Sequence, residues 1–317
     1  MTWAQQQERG SALLAGAAVG LARRGGWTVG RALTVPATAW FLLNSRRARA
    51  ASREYLSRVL DRPATWRDVA RHFDHFACAV LDRVMLLAGR EREYDIRTEG
   101  VDEMLATVAQ GRGCILLGAH LGSFEVLRVL AKTSPVPVWA LMYRRNSGAL
   151  TALLDQLAPG LRAHVLEIGD TASMIQAREC VDRGEIVGVL ADRSPPGHRL
   201  VPAPFLGATA QFPSGPFVLA ATLGAPVFLF HGVRTGKRRY QVGMEKFADR
   251  VVLRRRERAA DLRFYVHRYA EALERTCRLY PLEWFNFFPF WEADDARSGP
   301  AQPGETAASG LADPRPG

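Results

Sequence analysis

The sequence predicts an α/β protein: a mainly parallel central sheet with helices on both faces, preceded by an N-terminal helical region that associates with a membrane. Two observations carry the α/β reading. Short runs rich in β-branched residues alternate with amphipathic segments through the middle of the chain, the pattern of right-handed βαβ crossovers. The clearest unit is Gly113 to Ala131, which reads as a buried strand, a tight polar turn and an amphipathic helix. With 317 residues and 48% hydrophobic content, the chain has ample material for one large core with appendages.

Taken in order, residues 1–90 form the N-terminal helical, membrane-associating region, 91–292 the α/β domain and 293–317 a tail. Within the first region, the clean apolar run from Ala32 to Leu43 is too short to span a bilayer core of about 30 Å. Trp27, Trp40 and Phe41 between arginine clusters suit the headgroup layer of an anionic leaflet. The other reading is a helical arm packed on its own domain. Apolar spacing of three and four predicts helices over Ser45–Asp61 and Thr65–Leu87.

Strand-then-helix units follow: Cys114–Leu117 with Ser123–Lys132, Val136–Met142 with Asn146–Leu157, and Ala163–Ile168 with Thr171–Arg183. A further strand covers Ile186–Ala191. Ser194–Gln211, rich in Pro and Gly, reads as a long functional or mobile loop. Helix Ser214–Leu223 and strand Pro226–Val233 restore the alternation, Tyr240–Phe247 reads as an edge strand, and 258–279 as a helix. The tail beyond Glu292 has the Pro, Gly, Ala, Ser and acidic composition of a disordered segment.

The formal charge of +10 is concentrated at the front, where residues 1–60 carry nine arginines against two glutamates, +7. This basic surface suits acidic or membrane partners, while the absence of a base-reading motif argues against nucleic acid. Cys78, Cys114, Cys180 and Cys277 are widely spaced without a CxxC pair, the usage of buried free thiols in a reducing compartment. The polar opening and the missing cleavage pattern give no secretory signal.

His120 stands where a strand ends, the place at which open α/β sheets put their chemistry, and Glu125 follows five residues later. Such a pair is suited to activating a hydroxyl. His120 serves as the base, and Glu125 accepts the other ring N–H, fixes the tautomer and supports the imidazolium. Ser123 is not in a GxSxG elbow and is better placed to cap the following helix, and Cys114 begins a buried strand, so neither favours a covalent route. Arg144 and Arg145 end the next strand on the same sheet edge and suit a phosphate of donor or acceptor, or else form a solvated pair. Asp192 and Arg193 end a further strand. His72 and His75 are spaced i and i+3 on one helix, but no third ligand at suitable spacing supports a metal.

His120 and Glu125 resemble the HX4D/E motif of the glycerolipid acyltransferase superfamily. The blocks Gly118–Glu125, Tyr143–Arg145, Gly184–Asp192, Phe205–Gly207, Gly224–Pro226 and Tyr280–Trp291 stand in the order of its bacterial lipid A late-acyltransferase branch. That resemblance implies a glycerolipid-acyltransferase-like fold and transfer of a fatty acyl chain to a hydroxyl or amine of a membrane lipid or glycolipid. The resemblance implies direct attack by the acceptor, without an acyl-enzyme. It also implies acyl-carrier protein or coenzyme A thioester as donor, no metal or redox cofactor, and work at the cytoplasmic face of a bacterial inner membrane. Arg144, Arg145, Asp192 and Arg193 fall on its substrate-binding blocks, although Ser194–Gly197 departs from the glycerol-phosphate acyltransferase pattern. A thioesterase or a non-catalytic lipid-binding protein are the rival readings.

Overall fold

In the computed structural model, which describes residues 12–133, 136–142, 165–167, 171–193 and 197–291, helices and strands alternate around one twisted sheet. Three helices come first: α1 (Ala12–Asn44), α2 (Arg46–Val59) and α3 (Trp66–Leu87). The start of α3 is fixed by a capping box, in which Asp68 N–H donates to Thr65 Oγ1 at 3.2 Å and Thr65 N–H to Asp68 Oδ2 at 2.8 Å. A short 3₁₀ turn, Glu91–Glu93, leads into β1 (Asp95–Glu99), α4 (Val101–Ala109), β2 (Cys114–Gly118), α5 (Phe124–Thr133), β3 (Val138–Met142) and β4 (Val165–Glu167). Then follow α6 (Thr171–Asp182), β5 (Ile186–Leu190), β6 (Leu200–Phe205), β7 (Ala208–Pro213), α7 (Gly215–Leu223), β8 (Val227–Gly236), β9 (Arg239–Ala248) and α8 (Arg258–Leu279).

The seven-stranded sheet runs in the order β1-β9-β8-β2-β5-β3-β4 and is parallel except for the β8–β9 pair. Central strands read as continuous apolar runs because both faces are covered. Ile115 and Leu117 of β2 point into one core with Val187 and Val189 of β5, while Cys114 and Leu116 point into the other with Ile186. Cys78, Cys114, Cys180 and Cys277 are free thiols, all buried.

Several expectations are corrected here. β9 is an inner strand between β1 and β8, with β1 at the edge. The polar run Asp95–Glu99 carries no apolar alternation, because only Ile96 is partly covered. The segment expected as a loop contains an antiparallel ribbon, β6–β7, turned at Leu206 and Gly207 with φ of 49° and 78°. Val201, Ala203 and Phe205 point inward, and the prolines at 202 and 204 hide this period of two by pointing out.

The N-terminal helix packs on its own domain, the second of the two readings of this region. Trp27 is buried, and its Nε1–H donates to Asp82 Oδ1 at 2.8 Å. Asp82 is a fully buried carboxylate that also accepts from Tyr94 and Tyr240, each at 2.8 Å, so it ties α1 and α3 to the sheet. α1 kinks at Gly26, whose φ of 73° and close approach to the Arg90 guanidinium suit glycine alone. No described helix is long and apolar enough to cross a membrane.

Candidate active site

Parallel pairing of β2 with β5 sets Gly118 beside Leu190, so the residues two positions beyond each strand, His120 and Asp192, come together at the carboxyl edge of the sheet. Asp192 is fully buried, and its two oxygens hold the His120 loop from both ends. Oδ1 lies 2.8 Å from His120 Nδ1, and Oδ2 accepts the His120 backbone N–H at 3.0 Å. An ionised carboxylate can only accept, so Nδ1 carries the proton and Nε2 is left as a base. Among the described residues Nε2 has no hydrogen-bond partner, and 37% of the side-chain surface is open.

The electrostatics agree with that assignment. Burial pushes the His120 imidazole below its ordinary pKa and the charge of Arg193 adds to this, while Asp192 opposes both. Burial pushes the Asp192 carboxyl up, but His120 and Arg193 outweigh it and hold the group well below the usual carboxylate range.

Glu125 does not hold the position expected of it. It is buried in the first turn of α5, and Arg83 of α3 brings its Nε to 2.8 Å from Oε1. The reason lies in the turn. Gly122, with φ of 70°, packs so tightly on β8 that an added Cβ would stand 2.0 Å from Gly232 O. Ser123 N–H donates to that same oxygen at 2.7 Å, and α5 leaves at an angle that takes Glu125 to α3. Asp192 therefore replaces Glu125 as the group on Nδ1.

The C-terminal segment closes the site. Trp284 is fully buried, and its Nε1–H donates to Asp192 Oδ2 at 3.0 Å. Its backbone bridges Leu121, and Phe285 N–H donates to His120 O at 3.0 Å. Glu283 O accepts Gly122 N–H at 2.8 Å, while its buried carboxylate takes His75 Nδ1 at 2.7 Å and Arg234 N–H at 2.8 Å. His72 is buried between Ser52, whose hydroxyl lies 2.8 Å from Nδ1, and the Trp284 carbonyl, which accepts from Nε2 at 3.0 Å. Burial pushes its pKa down to about 3.

Arg193, expected to face substrate, turns inward instead. Its Nη2 donates to Phe285 O at 3.0 Å, its guanidinium lies 5.2 Å over the Phe288 ring and its Nε is 3.7 Å from Asp192 Oδ2. Cys114 is buried with its thiol pushed up to about 12 by desolvation, which removes it as a nucleophile. Arg144 and Arg145 lie outside the described residues, as do the expected helix Asn146–Leu157 and the tail from 293 onward.

A family model for bacterial lipid A biosynthesis acyltransferases matches residues 30–292. The chain belongs to this family. Its membership makes it an acyltransferase acting on a lipid, and the matched range includes every residue of the site just described. No curated protein matches the chain. For this acyltransferase, the sequence singled out His120 and grouped Asp192 with the substrate-binding residues, whereas Asp192 is fully buried against His120 Nδ1; Trp284, Glu283 and His72 were not singled out as supports of that pair. A signal for Trp284 was present in the aromatic block Tyr280–Trp291, whose indole at 284 is what reaches Asp192.

Proposed function

We propose that the protein moves a fatty acyl chain from a carrier thioester, of acyl-carrier protein or coenzyme A, to a hydroxyl or amine of a membrane lipid or glycolipid. His120 is the general base. The observation that carries this reading is the His120–Asp192 pair, with Nδ1 tied to a buried carboxylate and Nε2 open. Nε2 takes the hydroxyl proton as the acceptor oxygen bonds to the thioester carbonyl carbon. The tetrahedral intermediate then breaks its C–S bond, and the imidazolium returns the proton to the leaving thiolate, giving ester and thiol. Asp192 stabilises the imidazolium and stays ionised throughout. The site faces the cytoplasmic side of the bacterial inner membrane, where thioester donors and lipid acceptors meet.

The test compares three variants with a labelled acyl donor. His120→Ala is expected to lose roughly 10²–10⁴-fold or more in kcat. Asp192→Asn is expected to follow it, while Glu125→Gln costs less because Glu125 is bound to Arg83. Full activity in His120→Ala overturns the assignment. Release of the label as free fatty acid at the same rate with and without acceptor replaces transfer by hydrolysis.

A further inference from the structure

An open cleft of about 440 Å³ lies between α2 and the start of α3, lined by Arg46, Arg49, Arg53, Glu54, Trp66 and Val69. The three arginines are spaced i, i+3 and i+7, so α2 presents them in one row. That row is costly for the helix. Like charges repel along it, and Arg46 and Arg47 begin a helix whose first turn carries no acid to offset the positive end of its dipole.

The local acids do not relieve the strain of charge. Glu54 pairs with Arg58, Asp68 with Arg62, and Asp61 with Arg278 of α8. Arg49 binds the carbonyls of Leu42 and Leu43 at the end of α1, leaving Arg46 and Arg53 without an acidic partner among the described residues. Large apolar side chains stand on the same corner with much of their surface open: Trp40 at 54%, Leu43 at 66% and Trp66 at 46%. Arg49 joins the two sets, since it holds the Leu43 carbonyl and its guanidinium is 6.0 Å from the Trp66 ring.

We infer that this corner docks on the surface of an anionic phospholipid membrane, with one headgroup phosphate seated between Arg46, Arg49 and Arg53 and with Trp40, Leu43 and Trp66 entering the interface. The inference rests on the reading of the acceptor as a membrane lipid, and it fixes which face of the protein meets the bilayer. Charge alone would equally suit an acidic carrier protein or free phosphate. Exposed indoles and leucine beside the arginines favour the bilayer, whose headgroup layer takes both kinds of side chain.

The experiment is co-sedimentation of the full chain with phosphatidylcholine vesicles, with and without phosphatidylglycerol. Wild type is expected to prefer the anionic vesicles, and Arg46→Gln/Arg53→Gln to bind them about 30-fold more weakly. Trp66→Ser is expected to weaken the binding that survives at high salt. Arg255→Gln/Arg256→Gln, an exposed basic pair elsewhere, serves as the control and is expected to bind as wild type does. Undiminished vesicle binding by the first pair, or an equal loss in the control pair, overturns the proposal. So does intact vesicle binding with lost binding of acyl-carrier protein. Because binding is read without turnover, a chain that docks in this way but transfers no acyl group sinks the acyl-transfer reading and leaves the surface standing.

Discussion

His72 shows how one residue couples the site to acidity. Its ring is neutral in the folded protein down to about pH 3, whereas an unfolded histidine takes a proton near 6.5. As pH falls below 6.5 the unfolded state therefore binds the proton that the folded state refuses. Stability drops by about 1.4 kcal/mol per pH unit from this group alone until the folded pKa is reached. The slope of unfolding free energy between pH 6 and about 4 is expected to shrink by that amount in His72→Gln, whatever the variant's absolute stability. An unchanged slope would place the ring in a more open setting. At this scale the sequence told less than it held. His120 was legible because it ends an apolar strand, but the choice between Glu125 and Asp192 depended on strand register and on the Gly122 turn, which only pairing in three dimensions determines.

Among the elements, the strap from Glu283 to Trp291 is the one with chemistry behind it. Trp284 packs edge-on against Tyr55, Phe205 and Phe290 at 4.9–5.3 Å while its indole N–H reaches Asp192. Trp284→Phe keeps the aromatic packing and removes only that donor. It is expected to lower kcat by about tenfold with KM unchanged, because the loss of a hydrogen bond worth roughly 1.5 kcal/mol to a charged group loosens the carboxylate behind His120. With one donor fewer, Asp192 becomes more basic and raises the His120 pKa, so the acid limb of the kcat profile moves to higher pH. A change confined to KM would make the strap part of the substrate groove instead. Helix and strand positions were readable wherever apolar residues recurred at a regular interval, as in α3 and β5. The β6–β7 ribbon was missed because the prolines at 202 and 204 masked a period of two, and β1 because a polar edge strand has no period to show.

Across the whole molecule, the N-terminal helices and the sheet share a core. Leu81, Val84 and Met85 of α3 pack in one cluster with Leu116 and Ile186 of the central strands, and Trp27 belongs to it. Removing residues 1–44 would take the Trp27 donor from buried Asp82 and uncover that cluster, at a cost of about 1–3 kcal/mol for the unsatisfied acceptor alone. The truncated chain is expected to melt at a markedly lower temperature than the full protein or to lose cooperative unfolding, as followed by calorimetry. Equal melting would restore α1 as a separable arm. The α/β class and the parallel sheet were legible from alternation along the chain. The docking of α1 was not, because Trp27 suits a headgroup layer and a buried carboxylate equally well until Asp82 is seen beside it.

The lateness of Trp284 in the chain has a bearing on biosynthesis. The strands that precede His120 and Asp192 leave the ribosome long before the segment that locks them, and the loop bearing His120 has no anchor on Leu121 or on its own carbonyl until residues 284 and 285 arrive. A nascent chain can thus pair its strands while the His120 loop still lacks its C-terminal anchors. The site is complete only when the segment from Glu283 to Trp291 docks.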